Sequence, residues 1–244
     1  MLALALLVTG FAPSNEEARP AHGRTAVPGL WHGCVRAGER HGFFRAADGT
    51  RIAYAEAGHG TGGIVFAHGA RGDLCNWMWA LRKPDLQRFR TLAFDFRGGG
   101  LSDYPAYPRS ARFRQDVIAA VAQLRRDGAR KVAVLGISRG GPAALAAAAQ
   151  LYPRRVQAAV AVASIDELVG DDAVAAVRAS HVPLLVLVNA HDGLGLTPTA
   201  RAIFRASASR DKRLVIAPGQ GHADVFRFPR VWNAFVAFLQ RELS

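Results

Sequence analysis

The chain has 244 residues, with 31 Lys and Arg against 19 Asp and Glu and a net charge of +12. That length suits one large α/β domain better than two small ones, and a composition that is half hydrophobic supplies a sizeable core. The basic residues are nearly all Arg, scattered along the chain and never interleaved with aromatics. The excess therefore reads as a solvated basic surface, and no nucleic-acid partner is expected.

The first dozen residues, MLALALLVTGFA, are apolar but too short to span a bilayer, so no stable membrane insertion is expected. They have the character of a signal-peptide core, yet no basic residue precedes them and Pro13 follows Ala12. Cytoplasmic and exported locations both stay open. Residues 13 to 40 mix Pro, Gly, Arg, Glu and His without periodicity and read as a linker or loosely packed arm. This divides the chain into an N-terminal segment, residues 1–40, and one domain, residues 41–244. His22, His32 and His41 lack ligand spacing with any Cys or acid and read as surface histidines, so no metal is expected. Cys34 and Cys75 are too few for a disulfide framework. They fit one disulfide in an exported protein, or two separate buried thiols.

Residues 42 to 57 read as a hairpin around Asp48-Gly49. Ile64-Val65-Phe66-Ala67 is a continuous apolar run of the kind a buried parallel strand needs, and it ends at His68-Gly69-Ala70. A helix is predicted over Cys75 to Leu86, with Asp73 as its N-cap and Trp77 and Trp79 as packing residues. Thr91 to Phe94 is the next strand and runs into the glycine-rich loop Asp95 to Asp103, where Ser102 or Asp103 is expected to cap a short helix. That loop carries Arg97, but no dinucleotide or Walker pattern accompanies it. Ala111 to Arg126 has apolar residues at helical spacing and is closed by Gly128.

Lys131 to Leu145, KVAVLGISRGGPAAL, is a short apolar strand, a turn Gly136-Ile137-Ser138-Arg139-Gly140 and an Ala-rich helix. Strand, glycine-flanked serine and helix make the context in which G-x-S-x-G projects a serine hydroxyl above a sheet. Further strands are predicted at Val156–Ala163, Pro183–Asn189 and Leu214–Ala217. Between them lie at most one short helix over Asp166–Ser180 and a helix over Thr197–Ser209. An amphipathic helix over Asp224–Leu239 ends the chain. Strands alternating with helices from residue 64 onward predict a mostly parallel sheet with helices on both faces.

In such a sheet, chemistry gathers at the carboxyl ends of the strands. Those ends carry His68, Asp95, Ser138, Asp166, Asp192 and His222. A hydrolytic triad needs a nucleophile, a base and a carboxylate that orients the base. Ser138 reads as the nucleophile and His222, in a glycine-flanked loop after a strand, as the base. Asp192 reads as the orienting acid, with Asp166 as its rival. Asp224 reads as a helix cap, and His191 and His68 as structural. The backbone N–H groups of Ala70 and Arg139 are expected to form an oxyanion hole.

Together, His68-Gly69, Asp95-x-Arg97-Gly98-x-Gly100-x-Ser102, Gly136-x-Ser138-x-Gly140, Asp192 and Gly221-His222 resemble the α/β-hydrolase superfamily over about residues 43 to 242. The resemblance implies an eight-stranded sheet whose second strand is antiparallel, and a Ser-His-Asp triad. Within the superfamily, the stretch from Gly72 to Trp77 is similar to small bacterial hydrolases with little or no lid. Few residues separate Asp166 from His181, so a cap domain is expected to be minimal or absent and the site open. Arg139 stands where many relatives have Met, Gln or Leu. The implied activity is hydrolysis of a small carboxylic ester, or of a thioester or amide, through an acyl-enzyme. The expected partner is a small-molecule acyl substrate, with no cofactor. Acyl transfer on the same triad and a non-catalytic binding protein are the alternatives. Substrate and oligomeric state are not readable from the residues.

Overall fold

The computed structural model describes residues 31–104, 113–222 and 224–244. The apolar start of the chain, most of the N-terminal arm including His22, and the first residues of the helix expected at 111 lie outside these.

Eight strands form one sheet in the order β1-β2-β4-β3-β5-β6-β9-β10. They are β1 Arg40–Arg45, β2 Arg51–Ala57, β3 Gly62–Ala67, β4 Arg90–Phe94, β5 Lys131–Ile137, β6 Ala158–Val162, β9 Leu184–Asn189 and β10 Lys212–Ala217. A separate hairpin pairs β7 Glu167–Leu168 with β8 Asp171–Asp172. β2 runs antiparallel to both β1 and β4. From β4 to β10 every neighbouring pair is parallel.

The central strands are apolar on both faces because both faces are covered. Successive residues of β5 show it: Val132 and Val134 join the core under one helix layer, and Ala133 and Leu135 join the core under the other. The first layer contains α2 Arg114–Arg126, α3 Gly140–Leu151, α4 Ala173–Arg178 and α5 Thr197–Ala206. The second contains α6 Pro229–Leu243 and the short helical turns between β3 and β4. Pro198 and Pro229 sit in the first turns of α5 and α6, where a missing N–H costs nothing.

Four expectations need correction. The helix predicted over residues 75–86 is broken into a 3-10 turn Leu74–Trp77, a short α1 Met78–Leu81 and a 3-10 turn Pro84–Leu86. Tertiary ties override its propensity. The Leu74 N–H goes to Asp95 Oδ1, Cys75 is bonded to Cys34, and Pro84 cannot continue a helix. Asp73 does cap the first turn, accepting from the Cys75 N–H at 2.9 Å.

Residues 31–39 are not a loose arm. Cys34 and Cys75 form a disulfide, and Glu39 receives the Arg82 guanidinium at 2.7 Å. His32 is not a surface histidine: its ring packs between Cys75 and the fully buried Asp95. Lastly, Ser102 joins two strands, accepting from the Ala53 N–H at 2.9 Å and donating to the Asp95 carbonyl at 2.8 Å.

Arg97 is also committed internally. It donates to Asp116 at 2.7 Å and to Asp48 at 2.6 Å, which leaves no free guanidinium in that loop for a phosphate.

Candidate active site

Ser138 stands between β5 and α3 with φ +53°, a left-handed conformation that a serine holds only when its surroundings impose it. The flanking glycines are required by contact. A Cβ on Gly136 would lie 2.2 Å from the Gly140 carbonyl oxygen, and one on Gly140 would lie 2.4 Å from that of His68. The turn therefore closes on itself and on the loop after β3. Gly69 of that loop is tight as well, since a Cβ there would sit 3.2 Å from the Ser138 Cβ.

Ser138 Oγ is 3.0 Å from His222 Nε2. His222 Nδ1 is 3.0 Å and 3.2 Å from the two carboxylate oxygens of Asp192. An ionised carboxylate only accepts, so Nδ1 carries the proton and Nε2 is left to accept from the serine hydroxyl. The Asp192 side chain is fully buried and is held in turn by the Leu194 N–H at 3.0 Å. An imidazole fixed this way can take a proton from the hydroxyl while the carboxylate stabilises the resulting cation.

The loop bearing His222 is anchored from below by a residue that no sequence motif marks. Asn189, buried at the end of β9, donates to the Gly221 carbonyl at 2.7 Å and also to Asp224. A Cβ on Gly219 would come within 2.5 Å of the Asn189 Oδ1. Asp224, expected as a helix cap, has no capping hydrogen bond and is occupied with Asn189 and Arg227.

Asp166, the rival acid, is exposed, and its side chain accepts only from the Glu167 N–H next to it. His191 is likewise exposed, and its backbone N–H pairs with the Gly219 carbonyl. His68 is buried and accepts the Phe96 N–H on Nε2 at 3.1 Å while donating from Nδ1 to the Gly69 carbonyl at 2.8 Å. Burial pushes its pKa down, against the opposing pull of that carbonyl and of Asp95. It is a neutral strut for the loop that carries Ala70.

Among the described residues, the backbone N–H groups of Ala70 and Arg139 have no hydrogen-bond acceptor. Both are available to an anion beside Ser138.

Ser138 and His222 open onto a cavity of about 650 Å³ walled by Trp77, Trp79, Leu194 and Phe226. Trp79 and Leu194 are 42% and 64% exposed, so the wall is wet on its outer side. Between β6 and β9 the chain spends its residues on the β7–β8 hairpin and α4, with no inserted cap. The aromatics expected as packing residues therefore also form the wall of the site. The Arg139 side chain turns away from this cavity and lines a smaller one, of about 320 Å³, together with Arg71.

Comparison with known proteins agrees with this architecture. Residues 63–181 match the family model described as the alpha/beta hydrolase fold. A putative aryl esterase from Burkholderia cenocepacia superposes with a TM-score of 0.69 at 22% identity, covering 84% of this chain and 99% of that one. A hydrolase from Pseudomonas aeruginosa gives 0.68 at 21% identity, with the same coverage of both chains. A curated protein from Cupriavidus necator, the dihydrolipoyllysine-residue acetyltransferase component of an acetoin cleaving system, is 33% identical over 133 residues. That match takes in 54% of this chain and spans only a third of the relative's length, 33%. The sheet order, the antiparallel second strand and the matched family model together give this chain the α/β-hydrolase fold.

Proposed function

We propose that the protein is a serine hydrolase that cleaves small carboxylic esters through an acyl-enzyme. The observation that carries this reading is the continuous chain from Ser138 Oγ through His222 to the buried Asp192, with each link between 3.0 and 3.2 Å. Ser138 attacks the ester carbonyl as His222 takes its proton. The tetrahedral oxyanion is received by the N–H groups of Ala70 and Arg139, and each such donor contributes roughly 3 kcal/mol to the transition state. His222 then protonates the leaving alcohol. Water, activated by the same imidazole, releases the acid.

The cavity beside Ser138 supports an apolar or aromatic group on one side of the scissile bond, because Trp77, Trp79 and Phe226 form its wall. The same residues would serve acyl transfer if an alcohol or amine replaced water.

A chain-length series of p-nitrophenyl esters tests the reading. Turnover should be measurable with the wild type and fall by roughly 10³-fold or more in Ser138→Ala and in His222→Ala. Residual turnover at the wild-type rate in a folded Ser138→Ala protein would overturn it.

A further inference from the structure

A second cluster of reactive atoms lies outside the cavity chemistry. His32, Cys34 and Cys75 bring one ring nitrogen and two sulfurs within 4.8 Å of one another. His32 Nδ1 is 3.4 Å from Cys75 Sγ. The other ring nitrogen, Nε2, lies 2.6 Å from Asp95 Oδ2. Asp95 is fully buried and fixed by the N–H groups of Leu74 and Leu101, each at 2.8 Å. His32 itself is held at φ +56°, a backbone conformation that only a constrained non-glycine residue keeps.

An imidazole with one nitrogen on a buried carboxylate is the arrangement that orients histidine ligands of metals, and here the other nitrogen faces the sulfur of Cys75. Two Cys and one His also match the donor set of a tetrahedral zinc site with one position left for water. In the oxidised chain the sulfurs are bonded to each other and neither is a thiolate.

We propose that reduction of the Cys34–Cys75 disulfide converts this cluster into a Cys₂His site for Zn²⁺, and that oxidation of the pair expels the ion. In the reductive step a thiol reductant supplies two hydrogens. The S–S bond breaks, each cysteine becomes a thiol, and the reductant leaves as its own disulfide. Zn²⁺ then displaces the two thiol protons into solvent. It binds both thiolates and the Nδ1 lone pair, while Nε2–H donates to Asp95. Oxidation by an external disulfide removes two electrons from the thiolates: the oxidant's S–S bond breaks, its two sulfurs leave as thiols after taking protons from solvent, the Cys34–Cys75 bond reforms and Zn²⁺ is released. Cys75 directly precedes Asn76 and Trp77, which line the Ser138 cavity, so the two states reach the cavity wall through one turn. The proposal stands on its own donors and is independent of the esterase reading.

The test uses the full chain, oxidised or reduced with dithiothreitol, with the reductant removed under inert gas. Each form receives equimolar Zn²⁺, is gel-filtered, and is assayed for metal by atomic emission and for folding by near-ultraviolet circular dichroism. The reduced chain should retain one Zn²⁺ with a folded spectrum, and the oxidised chain less than about a tenth as much. Co²⁺ in place of Zn²⁺ should give thiolate-to-metal charge-transfer bands. Reduced His32→Ala, or His32→Gln should the first fail to fold, should bind at least roughly tenfold more weakly. Equal retention by the oxidised and reduced chains, cobalt spectra without thiolate bands, or unchanged affinity in both His32 variants would each overturn the proposal.

Discussion

The carbonyl oxygen of His68 occupies the space where Gly140 would carry a side chain, 2.4 Å from an ideal Cβ. The loop after β3 and the start of α3 are thus in backbone contact, so the proposed oxyanion donors, the N–H groups of Ala70 and Arg139, belong to two segments held against each other. Gly140→Ala should push the two apart. We expect a loss of roughly 1–3 kcal/mol in stability, read as a lower midpoint in urea, with a fall in ester turnover beyond what unfolding explains. Gly42→Ala, where the nearest atom is a tyrosine ring carbon at 3.6 Å, is the control and should be tolerated.

The two carboxylates considered for orienting the base differ in burial and reach. Asp192 touches His222 Nδ1 and is buried, whereas Asp166 is exposed and its carboxylate accepts from the neighbouring Glu167 N–H. Asp192→Asn should lower kcat/KM by roughly 10³–10⁴-fold with little change in KM, and Asp166→Asn should leave both within about twofold. The opposite ranking would transfer the orienting role to Asp166.

Trp79 forms part of the cavity wall and stacks toward Trp77, with ring centroids 6.4 Å apart. Removing it should cost large acyl or aryl groups more than acetyl. In Trp79→Ala the ratio of kcat/KM between a long-chain and an acetyl ester should shrink by roughly tenfold, since a few apolar groups are worth about that much in discrimination. An unchanged ratio would exclude this wall from substrate binding.

His68 gives a pH dependence of stability whose sign is set by its environment. Burial holds its pKa below the ordinary value in the folded chain. As pH falls below about 6.5, the unfolded chain takes up a proton that the folded ring resists, so this stabilising contribution is present above that pH and is lost on acidification. Relative to His68→Asn, the wild type should lose part of its thermal advantage between about pH 7.5 and 5. An advantage that grows on acidification would contradict the neutral-strut reading.

Much of the architecture is legible in the sequence because it is local or periodic. Continuous apolar runs such as Ile64 to Ala67 announce strands covered on both faces. The residues just past the carboxyl ends of such runs include Ser138, Asp192 and His222, whose side chains come together in the structure. The hidden parts depend on distant partners. His32 meets Asp95 across 63 residues and the Cys34–Cys75 disulfide spans 41, so neither has a spacing to recognise. The segment from 75 to 86 looks helical until Asp95 takes the Leu74 N–H. Asn189 reads as the polar end of a strand until its amide is seen under the His222 loop. Trp77 and Trp79 do pack against other aromatics, but a sequence does not tell a core wall from a cavity wall.

The central claim is that Ser138 is the nucleophile. Reaction of the folded protein with a fluorophosphonate, followed by digestion and mass spectrometry, tests it most directly. The account predicts one adduct per chain, on Ser138, formed in proportion to loss of ester turnover and absent from Ser138→Ala. Full turnover with no adduct, or an adduct on another residue that tracks inactivation, would contradict it.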